Sequence, residues 1–485
     1  MNARRLHIVI LSGVAMVTAQ TAGAFDVLRA ERNISSTAAG AMLPAVDGCP
    51  TGAPARPLHL SEAVERALCS NPKTREAWAD VKAQAAAVGI ARAAYLPTVS
   101  ANWQGVRENS VVDIRNHPTL GTDYTSTVRS EGVSLNWLLF DFGGREAALR
   151  NANALLEAAR ATQDATLQDE FATVAKDYYA VQTAIGELDA EKDVEHMTRQ
   201  SMVAAQARTD RGIAPVTDAL QAQTQHEQAV FGLTKAESEA QAALGTLASD
   251  MNLDPAEPLE VPPVTEDART DATFSEPVAQ LIRDVQIEHP SVRAAQAQYA
   301  AALAKVSQTR AQGLPSISLV GKYSSDNQPE SMGLGLPTYP ATGHEAYIGV
   351  QVSIPLFEGF GRHYQIDQAR AQAGRQQDAV DDARRKVALD VWTSYQALTG
   401  ATRNAQNSAQ LLDTAQQAWK AARHRYDAGV GNILELMNTQ AALANAKQRR
   451  IQTLADWDNA RVDLAAKLGR LDASDLAHDD NQGSP

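Results

Sequence analysis

One register runs through this chain twice. The stretch from Leu58 to Leu253 reappears, diverged, between Val278 and Leu471. Asn71-Pro72 is answered by His289-Pro290, and Leu96-Pro97 by Leu314-Pro315. Leu139-Phe140-Asp141-Phe142-Gly143-Gly144-Arg145 is answered by Leu356-Phe357-Glu358-Gly359-Phe360-Gly361-Arg362, Tyr178 by Tyr395, and Arg211-Gly212 by Ala428-Gly429. The offset stays at about 217 or 218 positions at every landmark, as a tandem duplication with almost no insertion requires. Whatever one half folds into, the other must repeat.

Each half reads as helix, strand pair, very long helix, then helix. Ser61 can cap a helix starting at Glu62, and alanine-rich helical sequence runs to about Ala94, weakly interrupted at Asn71-Pro72. Past Leu96-Pro97, Val99, Ala101 and Trp103 alternate with polar neighbours, as in a strand with one apolar face. This periodicity predicts strands over about 98–107 and 130–140, and over 316–324 and 346–356 in the second half. From Arg145 to about Arg211 there is no proline and little glycine, enough for one helix of roughly 100 Å. Arg362 to Asp427 repeats it. A glycine-bearing turn ends each long helix, and a second helix returns, to about Asp250 and about Leu468. Their spaced apolar residues suit coiled-coil packing. Residues 25–57 read as an irregular N-terminal segment, 58–253 and 278–471 as the two repeats, the proline- and acid-rich 254–277 as a linker, and 472–485 as a disordered acidic tail.

The chain opens like an exported precursor. Arg4 and Arg5, the apolar run Ile8 to Val17 and the small residues Ala22-Gly23-Ala24 mark 1–24 as a signal peptide. No cysteine follows the cleavage site to carry a lipid anchor, and no later run of about 18 apolar residues could span a membrane as a helix. An exported chain of this kind is either soluble or part of a β-barrel. Amphipathic strands of about ten residues suit an outer-membrane barrel, and Trp103, Trp137, Tyr323 and Tyr347 suit its interfaces. A soluble β-patch capping helices is the other reading. Four strands cannot close a barrel, so a barrel would be shared between chains, eight strands from two or twelve from three, and only twelve leave a wet lumen. The net charge of -13 argues against nucleic acid or anionic lipid as partners. Cys49 and Cys69 can form a disulfide or remain thiols, since spacing does not set geometry.

These features resemble the TolC family of outer-membrane efflux and secretion channels. The Leu-Pro before each hairpin, the Leu-Phe segment ending in Gly-Arg after it, and Tyr426-Asp427-Ala428-Gly429 at the tip carry the resemblance, which covers nearly the whole mature chain. It implies an α+β membrane protein: a homotrimer with a twelve-stranded outer-membrane barrel continued by a periplasmic α-helical coiled-coil tunnel. The run Ala67-Leu68-Cys69-Ser70-Asn71-Pro72-Lys73-Thr74-Arg75-Glu76-Ala77-Trp78 is similar to the branch serving type I secretion of RTX toxins such as cyclolysin. Expected partners are outer-membrane lipids, a periplasmic adaptor, an inner-membrane ABC ATPase and an exported toxin. Multidrug efflux is the alternative use of such a channel, and a soluble periplasmic coiled-coil scaffold is the alternative without a barrel.

The resemblance also implies a gate at the helical tips. Thr217 and Asp218 match positions that accept contacts from the second-half tip, where Tyr426 stands as the gate tyrosine and a bond from its hydroxyl to Asp218 is sensible chemistry. Gly431 replaces an arginine found in some members, so that contact is missing unless another residue supplies it. Glu435 matches a pore-facing acid, and Asn438 matches a second one without its charge. Three copies of Glu435 would form a cation-attracting ring, or Glu435 is only a solvated helix residue. Arg211, Gly212, Gly429 and Gly431 are candidates for adaptor contact as well as helix stops. There is no G-x-S-x-G, H-E-x-x-H or phosphate-binding G-x-x-x-x-G-K-[ST] segment, and His117 and His344 lack partner ligands, so neither catalysis, cofactor nor metal is expected.

Overall fold

The computed structural model describes residues 26–32, 34–40, 42–43, 49–50, 52–262, 277–331, 336 and 338–471. The expected signal peptide and acidic tail lie outside the described residues, as do 263–276 of the expected linker. The first half forms α1 (Leu60–Ser70), α2 (Pro72–Ala93), β1 (Thr98–Val112), β2 (Thr122–Phe140), α3 (Gly144–Asp210) and α4 (Val216–Asp250). The second forms α5 (Val278–Glu288), α6 (Pro290–Ala311), β3 (Ser316–Asp326), the short β4 (Glu330–Ser331) and β5 (Thr338–Tyr339), β6 (Gly343–Ser353), α7 (Gly361–Asp427) and α8 (Ile433–Leu468). Helices α1 and α5 are each 11 residues long, α2 and α6 each 22, and α3 and α7 each 67.

The punctuation is physical and repeats with the sequence. Asn71-Pro72 and His289-Pro290 are full breaks rather than weak interruptions, because Asn71 and His289 are extended, with ψ of 133° and 135°. Asn71 Oδ1 accepts from Lys73 N–H at 2.9 Å, and His289 Nδ1 accepts from Ser291 N–H at 3.2 Å. Each thereby serves a free N–H at the start of the next helix, where proline at the first position loses no bond. Burial first of all holds the His289 imidazole below its ordinary value, in keeping with Nδ1 as an acceptor.

The chain divides into two compact units, and α2, α3, α6 and α7 contribute residues to both. One unit, with residues 82–156 and 301–373, holds an antiparallel four-stranded sheet in the order β1-β2-β3-β6. Its register aligns the apolar positions. Ala101 lies opposite Val133, Val133 opposite Tyr323, Leu319 opposite Val350, and Ile317 opposite Val352. Directly opposed residues share a face, so one apolar surface crosses all four strands. Val99, Trp103, Tyr323 and Val350 on this face are more than half exposed. Tyr347 pairs with Lys322 and Ser134 pairs with Lys322 from the other side, which puts Tyr347 on the opposite, polar face. Strands β1 and β2 outrun the expected 98–107 and 130–140, because their ladder continues through polar pairs such as Glu108–Ser126 and Asn109–Thr125. Strand β6 stops at Ser353 rather than 356, since Pro355 has no N–H to give. After β2, Arg145 donates to the Leu139 carbonyl at 2.9 Å and its N–H to Asp141 at 2.6 Å, tying the start of α3 to the strand end.

The other unit, with residues 35–81, 157–300 and 374–471, holds the larger core. Leu58, Val64, Leu68, Leu167, Phe171, Tyr178, Leu247 and Met251 pack together, and Leu281, Val285, Val391 and Leu464 form the corresponding cluster of the second half. Tyr178 donates its hydroxyl to the Leu58 carbonyl at 3.0 Å, and Leu58 N–H bonds the Glu260 carbonyl at 2.7 Å. A disulfide joins Cys49 to Cys69 on α1. Beside the core, Asn71 spans Glu170 and the Asp250 carbonyl, and Lys73 pairs with Glu170 at 3.3 Å. Burial, a hydrogen bond to Asp177 and the charges of Asp177 and Glu170 push the Asp250 carboxyl up to about 7. Ionised, its Oδ2 is a buried acceptor without a donor; protonated, it can donate to Asp177.

The sign of the linkage follows. A carboxyl raised in the folded state weakens folding as pH rises from its unfolded value of about 4 towards 7, and the cost stays constant above that. Asp250→Asn is therefore expected to stabilise the protein at pH 8 by about 1 kcal/mol, a figure kept small because the pair is partly solvated. At pH 4 the gain should vanish. Thermal unfolding of both proteins at the two pH values checks this, and an equal shift at both excludes the linkage.

Candidate gate at the helical tips

The turn after each long helix closes in the same way. Gly212 N–H bonds the Thr209 carbonyl and Ile213 N–H the Arg208 carbonyl; Gly429 N–H bonds Tyr426 and Val430 N–H bonds Arg425. These paired bonds serve the last carbonyls of α3 and α7 and need a left-handed residue, which Gly212 and Gly429 supply with φ of +71° and +74°. Gly431 is glycine for another reason. A Cβ there would lie 2.6 Å from the Tyr426 amide nitrogen and 2.8 Å from the Arg425 carbonyl carbon. The arginine that the resemblance implies for part of the family would therefore have no room on this backbone. Asn432 follows and caps α8 by accepting from Leu434 N–H at 2.9 Å.

Behind the turns, Tyr426, Ile433 and Leu436 pack with Ala205 of α3 and Ala222 of α4. Tyr426 is only 5% exposed. The Arg208 guanidinium lies over its ring, 4.0 Å from the centroid, and donates to its main-chain carbonyl at 2.6 Å. No hydrogen bond joins the Tyr426 hydroxyl to Asp218 among the described residues. Asp218 stands in the first turn of α4, where a negative charge suits the helix start, and acts on Tyr426 only through its field. Burial pushes the Tyr426 phenol up, Arg208 opposes this, and Asp218 and Asp427 add to it.

Glu435 is not an isolated charge. Arg425 Nη1 donates to its carboxylate at 2.8 Å, in a pair with both side chains at least 40% exposed. An exposed pair of this kind contributes about 0–1 kcal/mol, yet it cancels most of the negative ring expected from Glu435 alone. Thr217 and Asn438 are exposed, and their side chains make no hydrogen bond among the described residues. Arg211, Gly212 and Gly429 are exposed at the turns, beside Ile213 and Val430, each 71% exposed. The structure thus brings Tyr426 together with Arg208, and Glu435 with Arg425, two arginines that motif reading did not single out. The duplication holds the missed signal: Arg208 and Arg425 are equivalent positions in the two repeats, as are Asp218 and Glu435.

Farther from the turn, α3 and α8 run antiparallel through Ser201–Gln440 at 2.8 Å, Asp193–Lys447 at 2.6 Å and Glu191–Gln448 at 2.6 Å. A cavity of about 120 Å³ lies beside Ser201, Trp419, Arg423, Tyr426 and Gln440. The Trp419 N–H and Gln440 Oε1 are buried without a protein partner, and polar space of this size suits ordered water. Among the described residues no group of three or more His, Cys, Asp or Glu could hold a metal ion, and no helix is long and apolar enough to cross a membrane.

The duplicated helix–hairpin–helix order and the exposed apolar sheet face define an outer-membrane export protein. The family model described as outer membrane efflux protein matches residues 63–252 and again 281–470, once in each repeat, and the chain belongs to that family. It is 33% identical over 427 residues to Protein CyaE of Bordetella pertussis, covering 87% of this chain and 86% of CyaE. It is 28% identical over 429 residues to the pyoverdine export outer membrane protein OpmQ of Pseudomonas aeruginosa, covering 84% of this chain and 85% of OpmQ. The outer membrane protein VceC of Vibrio cholerae shares its fold at a TM-score of 0.71 and 19% identity, over 84% of this chain and 96% of VceC. The protein is a channel component of the outer membrane.

The crowding at Gly431 gives a local test. Gly431→Ala is expected to cost about 1–3 kcal/mol by overpacking against the end of α7. Gly400→Ala, in open space on α7, should be neutral or slightly stabilising. Hydrogen exchange read on peptides covering 420–440 checks this: faster exchange is expected in Gly431→Ala and wild-type exchange in Gly400→Ala.

Proposed function

We propose that the chain is the exit duct of a type I secretion system and passes an RTX-type protein toxin across the outer membrane. The observation that carries this is the 33% identity to CyaE along nearly the whole of both chains. The export signal over 1–24 is removed, and the mature chain assembles as a homotrimer. The unpaired outer edges of β1 and β6 support this assembly. A four-stranded sheet has two edges that lipid does not tolerate, and three copies close a barrel of twelve strands around a wet lumen. The two repeats span 58–253 and 278–471, the 254–277 segment links them, and the helical hairpins continue the lumen as a periplasmic tunnel.

Thr217, Asp218, Tyr426, Glu435 and Asn438 belong to the closing tips in this reading, and Arg211, Gly212, Gly429 and Gly431 to the surface an adaptor meets. The exposed Ile213 and Val430 give that surface an apolar element. An inner-membrane ABC ATPase supplies the energy, and this chain performs no catalytic step. Small-molecule efflux is the second reading, and the identity to OpmQ, a pyoverdine export protein by name, is what favours it.

Deleting the gene and restoring it on a plasmid separates the two. Protein export predicts that large secreted polypeptides vanish from the culture supernatant and return with the plasmid, with little change in sensitivity to small toxic compounds. Unchanged secretion with heightened sensitivity to such compounds overturns the toxin reading in favour of efflux.

A further inference from the structure

We propose that Cys49 and Cys69 are the substrate of a thiol-disulfide oxidase that the chain meets after export, and that the bond so made clasps an N-terminal strap onto α1. Only export of the chain is needed for this, whatever the channel carries.

The strap lies antiparallel along one face of α1. Glu62, Arg66 and Cys69 follow one another at helical spacing and share that face. Each holds a successively earlier point of the strap. The Glu62 carboxylate accepts from Ala55 N–H at 3.2 Å. Arg66 donates to the Gly52 carbonyl at 2.9 Å and to the Ala53 carbonyl at 3.1 Å. Cys69 is bonded to Cys49. At its other end the strap runs into Leu58, which is fully buried and bonds the Glu260 carbonyl. Arg66 is 8% exposed, so lifting the strap would leave a buried guanidinium short of two acceptors.

The duplication provides an internal comparison. Gln280, Asp284 and Ile287 stand at the equivalent positions of α5. Asp284 pairs with Arg470 instead, and Ile287 is 69% exposed. The fastening residues are therefore particular to the first repeat and are not part of what the two helices share.

Closing the bond removes two electrons and two protons from the thiols, so an acceptor is required. The cytosol keeps thiols reduced, and an exported chain enters an oxidising compartment. The acceptor is a protein disulfide. The Cys49 thiolate attacks it, forms a mixed disulfide and releases one partner thiolate. The Cys69 thiolate then attacks the Cys49 sulfur and releases the second. The partner leaves as a dithiol, carrying both electrons and the two protons. Cys49 takes the first step because it lies on the strap, whereas Cys69 is partly buried and packs against the core. Glu62 and Arg66 hold the strap in the register that brings the two sulfurs together.

Thiol alkylation of the full-length protein tests this, and with two cysteines in the chain each can be counted by mass. Protein from cells that have the oxidase should take up no alkylating agent until reduced. Protein trapped soon after synthesis in cells lacking the oxidase should be alkylated at both positions. Cys69→Ser should hold the oxidase as a mixed disulfide on Cys49, and Cys49→Ser should hold little. In the purified protein, reductant should speed amide exchange over residues 52–58 about a hundredfold, the loss expected on opening a cross-link of this loop length. The double variant Cys49→Ser/Cys69→Ser should exchange like the reduced protein with or without reductant. Free thiols in protein from cells with the oxidase overturn the clasp, and unchanged exchange on reduction overturns its hold on the strap. Equal oxidation in cells lacking the oxidase overturns the partner. Trapping by Cys49→Ser in place of Cys69→Ser overturns the order of attack.

Discussion

The main-chain groups along the outer edges of β1 and β6 set the terms for this molecule. Each edge offers a row of N–H and C=O groups that a neighbouring strand must satisfy, and in the hydrocarbon of an outer membrane water cannot do so. The chain contains both hairpins but not the closure, so closure has to come from further copies. The apolar face makes the same demand. Trp103, Val133, Tyr323 and Val350 lie exposed on one side of the sheet, aligned by register, and a slip of one residue in any pair would turn them inward. The irregularity between Leu138 and Phe140 falls at the end of the ladder, next to Asp141 and Arg145, where β2 gives way to α3.

Duplication explains the regularity of the helices, and its breakdown marks where the halves take different tasks. Helices of equal length begin and end at matched positions, and Asn71 and His289 do the same work with different chemistry. At the tips the equivalence ends. Asp218 and Glu435 are matched in sequence, yet Glu435 pairs with Arg425 and no ion pair of Asp218 is found among the described residues. Gly431 corresponds to Ala214, and only Gly431 is pressed against a helix end.

Most of the architecture was legible because it depends on periodicity. Proline-free length gave the long helices, period-two alternation placed the strands, and glycine placed the turns. Strand ends were less legible, since the ladder through Glu108–Ser126 needs no apolar side chains and the stop at Ser353 depends on Pro355. Tyr347 was assigned to the interface by its type, but register put it on the polar face opposite Lys322. The tip was the least legible part. Resemblance named Tyr426 and Glu435, whereas their partners are long arginines reaching across a turn or between helices. Neither spacing nor propensity reports such a contact. Only comparing the repeats position by position draws attention to Arg208 and Arg425.

The energies at the tip fit a conduit worked by a partner. The Arg425–Glu435 pair is exposed and worth little, so it stiffens one hairpin without deciding whether the channel opens. Taking a two-state gate from nearly always closed to nearly always open requires about 5.5 kcal/mol of preferential binding to the open state. In the reading proposed above, a docked adaptor supplies that preference through a surface that includes the exposed Ile213 and Val430.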